Sequence, residues 1–133
     1  MKIIDALRQN SRQSVRDISK KTGIRPSTVH QRIQKLIKDK VIERFTVKLD
    51  NEKVDEGFIV FVLVKTGKDI PNTAFSSDCI KEVFGVTGEY DLMLKLKFKD
   101  VAEFNDFIIK FRKDHGLRET MSLVGTVTLK EEI

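Results

Sequence analysis

Cysteine, histidine and proline are scarce in this 133-residue chain, which has one, two and two of them. The single Cys79 excludes an intrachain disulfide, and no His/Cys cluster has the spacing of zinc ligands. Cys79 follows Ser76-Ser77-Asp78, but nothing near it in sequence marks it as a nucleophile, so an inert thiol is expected. Long apolar runs are also missing. None approaches the roughly 18–20 residues of a membrane span. The helical pattern at the N-terminus meets Asp5 too early for a secretion signal. No low-complexity tract or short repeat appears. Together these absences lead to the expectation of a cytoplasmic protein in a reducing compartment, with no metal, no cofactor and no membrane partner.

What is present is charge, and it is unevenly placed. The net charge is +5. Residues 1–50 carry 13 Lys+Arg against 5 Asp+Glu, whereas residues 51–133 carry 12 against 15. A polyanionic partner for the first segment accounts for that split.

The first segment reads as three short helices and a strand. Ile3, Ile4 and Leu7 form an apolar stripe that Asn10-Ser11 interrupts. Ser14 caps a second helix, with Asp17 in its first turn; that helix buries Val15 and Ile18 and stops at Thr22-Gly23. A third helix starts near Pro26-Ser27 and buries Val29, Ile33, Leu36 and Ile37. From Val41 to Leu49 the pattern turns extended, with Phe45, Val47 and Leu49 alternating with Arg44, Thr46 and Lys48.

Residues 51–56 read as a linker. Gly57 to Thr66 is a buried strand, and Ile70-Pro71-Asn72 leads into a short helix ending near Cys79. Val83 to Thr87 and Tyr90 to Lys99 form a hairpin about Gly88-Glu89. Asp100 with Glu103 opens a helix through Lys113 that buries Val101, Phe104, Phe107, Ile108 and Phe111, and a last strand runs from Glu119 to Lys130. The fold class is therefore α+β. A winged helix-turn-helix over residues 1–50 joins a ferredoxin-like βαββαβ domain over residues 57–133.

A helix-turn-helix needs a small residue where its helices cross, a glycine or its equivalent in the turn, and apolar residues locking both helices to the body. Ile18, Ser19, Gly23, Ile24, Val29 and Ile33 fill those roles inside the basic segment. With the third helix docked on its apolar side, Ser27, Thr28, His30 and Gln31 turn outward near its N-terminus, where base edges are read. Gln31 suits a bidentate contact with adenine. Arg12, Arg25, Arg32, Lys35 and Arg44 suit phosphates, which position a protein without reading sequence.

Asn10-Ser11-Arg12, Val15-Arg16-Asp17-Ile18-Ser19, Thr22-Gly23-Ile24, Ser27-Thr28-Val29 and Gln31-Arg32-Ile33 resemble the helix-turn-helix of the Lrp/AsnC (feast/famine) regulators. Val86-Thr87-Gly88-Glu89-Tyr90-Asp91-Leu92 is similar to the glycine-x-tyrosine-aspartate hairpin of that family's RAM domain. Three features depart from the family pattern: a short segment before the first helix, Lys40 in place of a glycine, and Phe45 in place of a tyrosine. The resemblance implies a non-enzymatic transcription regulator that binds double-stranded DNA. It also implies homodimers formed by the C-terminal sheets and linker strands, assembling further into tetramers or octamers, and a small effector, usually an amino acid, held between subunits. Thr87, Gly88, Glu89, Tyr90 and Asp91 are the effector candidates, against the plainer reading of a closed hairpin. Two alternatives stay open on the same scaffold: an enzyme resembling siroheme decarboxylases, and an architectural protein that compacts DNA.

Overall fold

The computed structural model describes residues 2–133, and Met1 lies outside the described residues. The chain separates into two compact units, one ending at Lys48 and the other beginning at Leu49.

The first unit holds α1 (Lys2–Gln9), α2 (Val15–Thr22) and α3 (Pro26–Lys38). Its small core joins Ile3 and Ala6 to the fully buried Ile18 and Val29. The helix ends follow local chemistry. Ser14 Oγ accepts from the Asp17 N–H at 3.1 Å, and Gly23 takes φ +73° beyond the last turn of α2. Pro26 sits in the first turn of α3, where its missing N–H costs nothing.

The extended segment expected from Val41 to Leu49 joins no sheet: among the described residues it belongs to no strand. A strand exists only through a partner ladder, and among the described residues no ladder forms on this segment. Lys40 turns the chain sharply off α3 with φ +57°, and the Val41 and Ile42 N–H groups both reach back to the Leu36 carbonyl. Beyond them Phe45, Val47 and Leu49 remain exposed.

The second unit opens with a single 3-10 turn at Glu52–Val54. Then come β1 (Phe58–Lys65), β2 (Ile80–Gly85), β3 (Leu92–Phe98), α4 (Val101–His115) and β4 (Glu119–Val124). The antiparallel sheet runs β2-β3-β1-β4, the strand order of the split βαβ arrangement. One face, carrying Val60, Val62, Val64, Leu94, Leu96 and Phe98, packs with Phe104 and Phe111 of α4. Asp100 caps α4 by accepting from the Glu103 N–H at 3.0 Å, and Gly116 ends it at φ +61°.

Five expectations need correction. Ile37 and Val101, expected to be buried, are exposed: Ile37 lies in the last turn of α3 and Val101 at the first position of α4, each at a helix end beyond the packed stripe. The short helix expected after Ile70-Pro71-Asn72 is one 3-10 turn, Asn72–Phe75; Gly67, Pro71 and the Ser76-Ser77-Asp78 run leave no stretch able to propagate an α-helix. The hairpin strands stop at Gly85 and resume at Leu92, so residues 86–91 form a longer loop than the turn at Gly88-Glu89 implied. The last strand ends at Val124, opposite Val60, rather than at Lys130; the Gly125 N–H still reaches the Ile59 carbonyl at 2.8 Å, and beyond it β1 has only Phe58 left to offer a partner.

Candidate nucleic-acid and effector sites

In the first unit α2 and α3 are clamped through the turn between them. The Ser19 hydroxyl donates to the Ile24 carbonyl, Thr22 Oγ1 donates to the Ile18 carbonyl at 2.8 Å, and the Gly23 N–H donates to the Ser19 carbonyl at 2.9 Å. With Val29 buried and Ile33 and Leu36 packed on the core, helical periodicity fixes the opposite face of α3. Ser27, His30 and Gln31 are exposed, with Gln34 and Lys38 further along; Thr28 is half-buried. Arg25, the residue before α3, forms no side-chain cap, so the first-turn amides of the helix stay open to an acceptor.

The basic residues fall into two groups. Arg12, Arg25 and Arg44 are exposed around the helix-turn-helix. Arg32 and Lys35 lie on the flank of α3 that faces α1, where with Lys2, Ile3, Ile4 and Leu36 they help wall a cavity of about 390 Å³. Sequence periodicity showed them only as outward-facing; the packing of α1 assigns their side.

In the second unit the loop between β2 and β3 is shaped by Asp91. Its Oδ2 accepts from the Thr66 N–H at 2.8 Å, its own N–H donates to the Val64 carbonyl at 2.8 Å, and its carbonyl accepts from the Val86 N–H at 2.9 Å. Gly88 sits at φ +134°, a conformation closed to other residues. Beside this loop is a cavity of about 800 Å³, within the range of small-molecule sites. Lys68, Asp69, Ile70, Phe75, Val83 and Asp91 are among its walls. It occupies the side of β2 and β3 beneath the crossover that carries only a 3-10 turn. Of the five hairpin candidates only Asp91 reaches the cavity; Thr87, Gly88, Glu89 and Tyr90 lie outside its walls.

The other face of the sheet is apolar across all four strands. Phe84, Met93, Leu63 and Met121 stand in register as one row, and Phe61 pairs with Leu123 in the next. Phe84, Met121 and Leu123 are exposed. At one end of this face Lys95 and Lys97 meet Glu131 from the C-terminal tail and Asn51 from the connector. Sequence reasoning missed this cluster, as it missed Lys68, Asp69 and Phe75. The available signal was two lysines alternating along β3 on an otherwise apolar face.

Among the described residues no group of three or more His, Cys, Asp or Glu side chains is placed to hold a metal ion, and no helix is long and apolar enough to cross a membrane.

Residues 1–43 match the winged helix-turn-helix DNA-binding family, and residues 75–133 match the Lrp/AsnC ligand binding domain. An uncharacterized HTH-type transcriptional regulator of Pyrococcus horikoshii is 33% identical, with the match covering 99% of this chain and 93% of that protein. Among solved structures, an AsnC family transcriptional regulator from Agrobacterium tumefaciens superposes with a TM-score of 0.89 at 27% identity, covering 98% of this chain and 90% of its own. The complex of a transcriptional regulator from Neisseria meningitidis with L-Met has a TM-score of 0.90 at 22% identity, covering 98% and 90%, and shares the fold.

Proposed function

The chain belongs to the Lrp/AsnC family and is a DNA-binding transcription regulator; from that premise we propose how its residues divide the work. The exposed start of α3 enters the major groove, with Gln31 reading adenine through paired hydrogen bonds and Ser27, Thr28 and His30 touching neighbouring bases or phosphates. Arg12, Arg25, Arg32, Lys35 and Arg44 hold the phosphate backbone, Arg32 and Lys35 from the α1 side of the recognition helix. The single observation behind this reading is the α2–turn–α3 clamp. It buries Val29 completely and leaves Ser27, His30 and Gln31 exposed beside open first-turn amides.

Two copies of the chain pair through the apolar row of Phe84, Met93, Leu63 and Met121, which gives each DNA-binding unit a symmetric partner. The exposed Phe45 and Val47 meet the partner's equivalent segment. A small effector, an amino acid in the first instance, binds at the hairpin Thr87-Gly88-Glu89-Tyr90-Asp91. The adjoining cavity offers Lys68 to a carboxylate and Asp69 to an ammonium group, with Phe75 and Val83 beneath a side chain. The work is done in the cytoplasm, where the duplex is.

The test is selection of bound genomic fragments by the purified protein, with and without each amino acid. The expected result is an enriched pseudo-palindrome with half-sites about one helical turn apart. Binding to it should weaken steeply with salt as counterions are released. Failure to bind any duplex at low salt overturns the reading.

A further inference from the structure

Past β4 the chain leaves the sheet edge and returns over the outer face. Its first foot is Gly125, whose N–H donates to the Ile59 carbonyl at 2.8 Å. Ile59 alternates with the core residue Val60 and so points outward, yet it is 8% exposed, and a Cβ on Gly125 would stand 3.7 Å from its own. The second foot is Glu131, which pairs with Lys95 and Lys97 of β3 and has a side chain only 11% exposed. Lys97 Nζ lies 3.0 Å and 3.1 Å from its two oxygens, and Asn51 Nδ2 donates to Oε1 at 2.9 Å. Hydrogen bonds from Lys95 and then Asn51 hold the Glu131 carboxyl far below the usual carboxylate range, so this foot stays ionised at neutral pH.

Register sets Lys97 and Lys95 opposite Ile59 and Phe61 of β1. Residues 126–130 therefore form an arch that leaves β4, passes β1 and lands on β3. What the arch carries is apolar and bare. Val127 is 72% exposed and Leu129 92%, which makes Leu129 the most exposed large apolar side chain among the described residues. Ordering a loop costs conformational entropy, and holding such side chains in water recovers none of it. Burial against a further surface does recover it.

The next row of the same face pairs Phe61 with Leu123, and the row of Phe84, Met93, Leu63 and Met121 follows. The exposed parts of Phe84, Met121, Leu123, Val127 and Leu129 leave on the order of 500 Å² of apolar surface, the size of patch that marks an interaction site. About half of it belongs to Val127 and Leu129. Pairing about a two-fold axis buries the patch on both copies, about 1,000 Å² in all, which is the threshold of a specific interface. Without the arch the sheet face falls well short of that threshold.

We propose that the arch of residues 126–130 is a docking element for a second copy of this chain, with Val127 and Leu129 seated on the partner's outer sheet face beside its apolar row. This rests on the reading that two copies pair through that face, and it supplies the area which the rows alone lack.

The native chain has no tryptophan, so in Leu129→Trp a single indole reports on the arch from a position exposed enough to leave the fold intact. Its emission should lie to the blue at concentrations where sedimentation shows a pair. It should move to the red on dilution to monomer, and equally when Leu63→Lys is added. Blue emission that persists in the monomer, or red emission in the pair, overturns the proposal. Sedimentation equilibrium then compares the native chain with Val127→Ser/Leu129→Ser, whose helix signal should be unchanged. The serine variant should dissociate at least about tenfold more readily. If it pairs as tightly as the native chain while Leu63→Lys is monomeric, the arch is refuted and the pairing face stands. If Leu63→Lys stays paired and the serine variant does not, the arch stands and the row is refuted. A native chain that is monomeric throughout overturns both.

Discussion

The Asp91 carboxylate accepts a hydrogen bond from the backbone N–H of Thr66 at 2.8 Å, joining the end of β1 to the loop that precedes β3. The pair lies at the mouth of the larger cavity, and both residues line it. One acidic side chain thus fastens the loop and leaves charge beside a space sized for a small molecule.

Asp91→Ala should cost about 1 kcal/mol of stability, below the range for a charge-assisted bond because the residue is exposed. Asp91→Asn keeps an acceptor and should recover at least half of that loss. Urea unfolding of the three proteins checks the ranking. In the DNA selection experiment, Asp91→Ala should abolish any amino-acid response, and an unchanged response would remove Asp91 from the effector site.

Gln31→Ala should alter which sequences are selected, whereas Lys35→Ala should weaken binding to all duplexes and reduce the salt slope by about 1. Electrophoretic mobility shifts over a salt series separate the two. Uniform weakening by both changes would show that Gln31 contacts only backbone.

Two positions with positive φ carry opposite expectations. Gly23 has open space where a Cβ would stand, so the cost of Gly23→Ala is purely conformational, about 1 kcal/mol. Lys40 already bears a Cβ at φ +57°. Lys40→Gly should relieve that strain and, after the extra freedom gained by the unfolded chain, stabilise by about 0.5 kcal/mol. Thermal melts of the two variants should move in opposite directions.

Stability should also depend on pH through the Glu131 cluster. The folded Glu131 carboxyl titrates below its unfolded value. Its contribution is therefore complete above the ordinary glutamate pKa of about 4.3 and is lost progressively as pH falls below it. Lys95 moves the other way: burial disfavours its charge, but hydrogen bonds to Glu131 and Glu82 outweigh that and raise its pKa. Its contribution is present below the ordinary lysine value of about 10.4 and is lost as pH rises through the folded value. Native protein should show a broad plateau between those limits, and Glu131→Gln should flatten the acid limb. An acid limb identical in both proteins would detach it from Glu131.

Leu63→Lys places a charge at the centre of the apolar row, between Met93 and Met121. Sedimentation should show the native protein as a pair and this variant as a monomer at the same concentration, with little loss of helix signal. Persistence of the native assembly would move the interface elsewhere.

The parts legible in sequence were those decided within a few residues. Ser14 and Asp100 each sit three residues before an amide they cap, and Gly23 and Gly116 mark left-handed ends. Extents set by partners were not legible. Val41–Leu49 alternates like a strand yet forms no ladder among the described residues, and β4 stops within two residues of the start of β1. The Glu131 cluster was hidden for a different reason. Glu131 stands in a charged run, Lys130-Glu131-Glu132, and only the path of the tail brings it to Lys95 and Lys97. The cavity escaped notice because it results from a helix that does not form.

That unformed helix also decides which part of the second unit is softest. β2 pairs with β3 alone, its register is interrupted between Ile80 and Glu82, and the crossover above it offers one 3-10 turn as cover. β4 is an edge strand too, but its register with β1 is unbroken, so the amides of β2 should exchange faster than those of β1 and β3. A molecule lodged against Val83 in the cavity should slow that exchange, so that binding is felt by β3, the one strand that β2 pairs with.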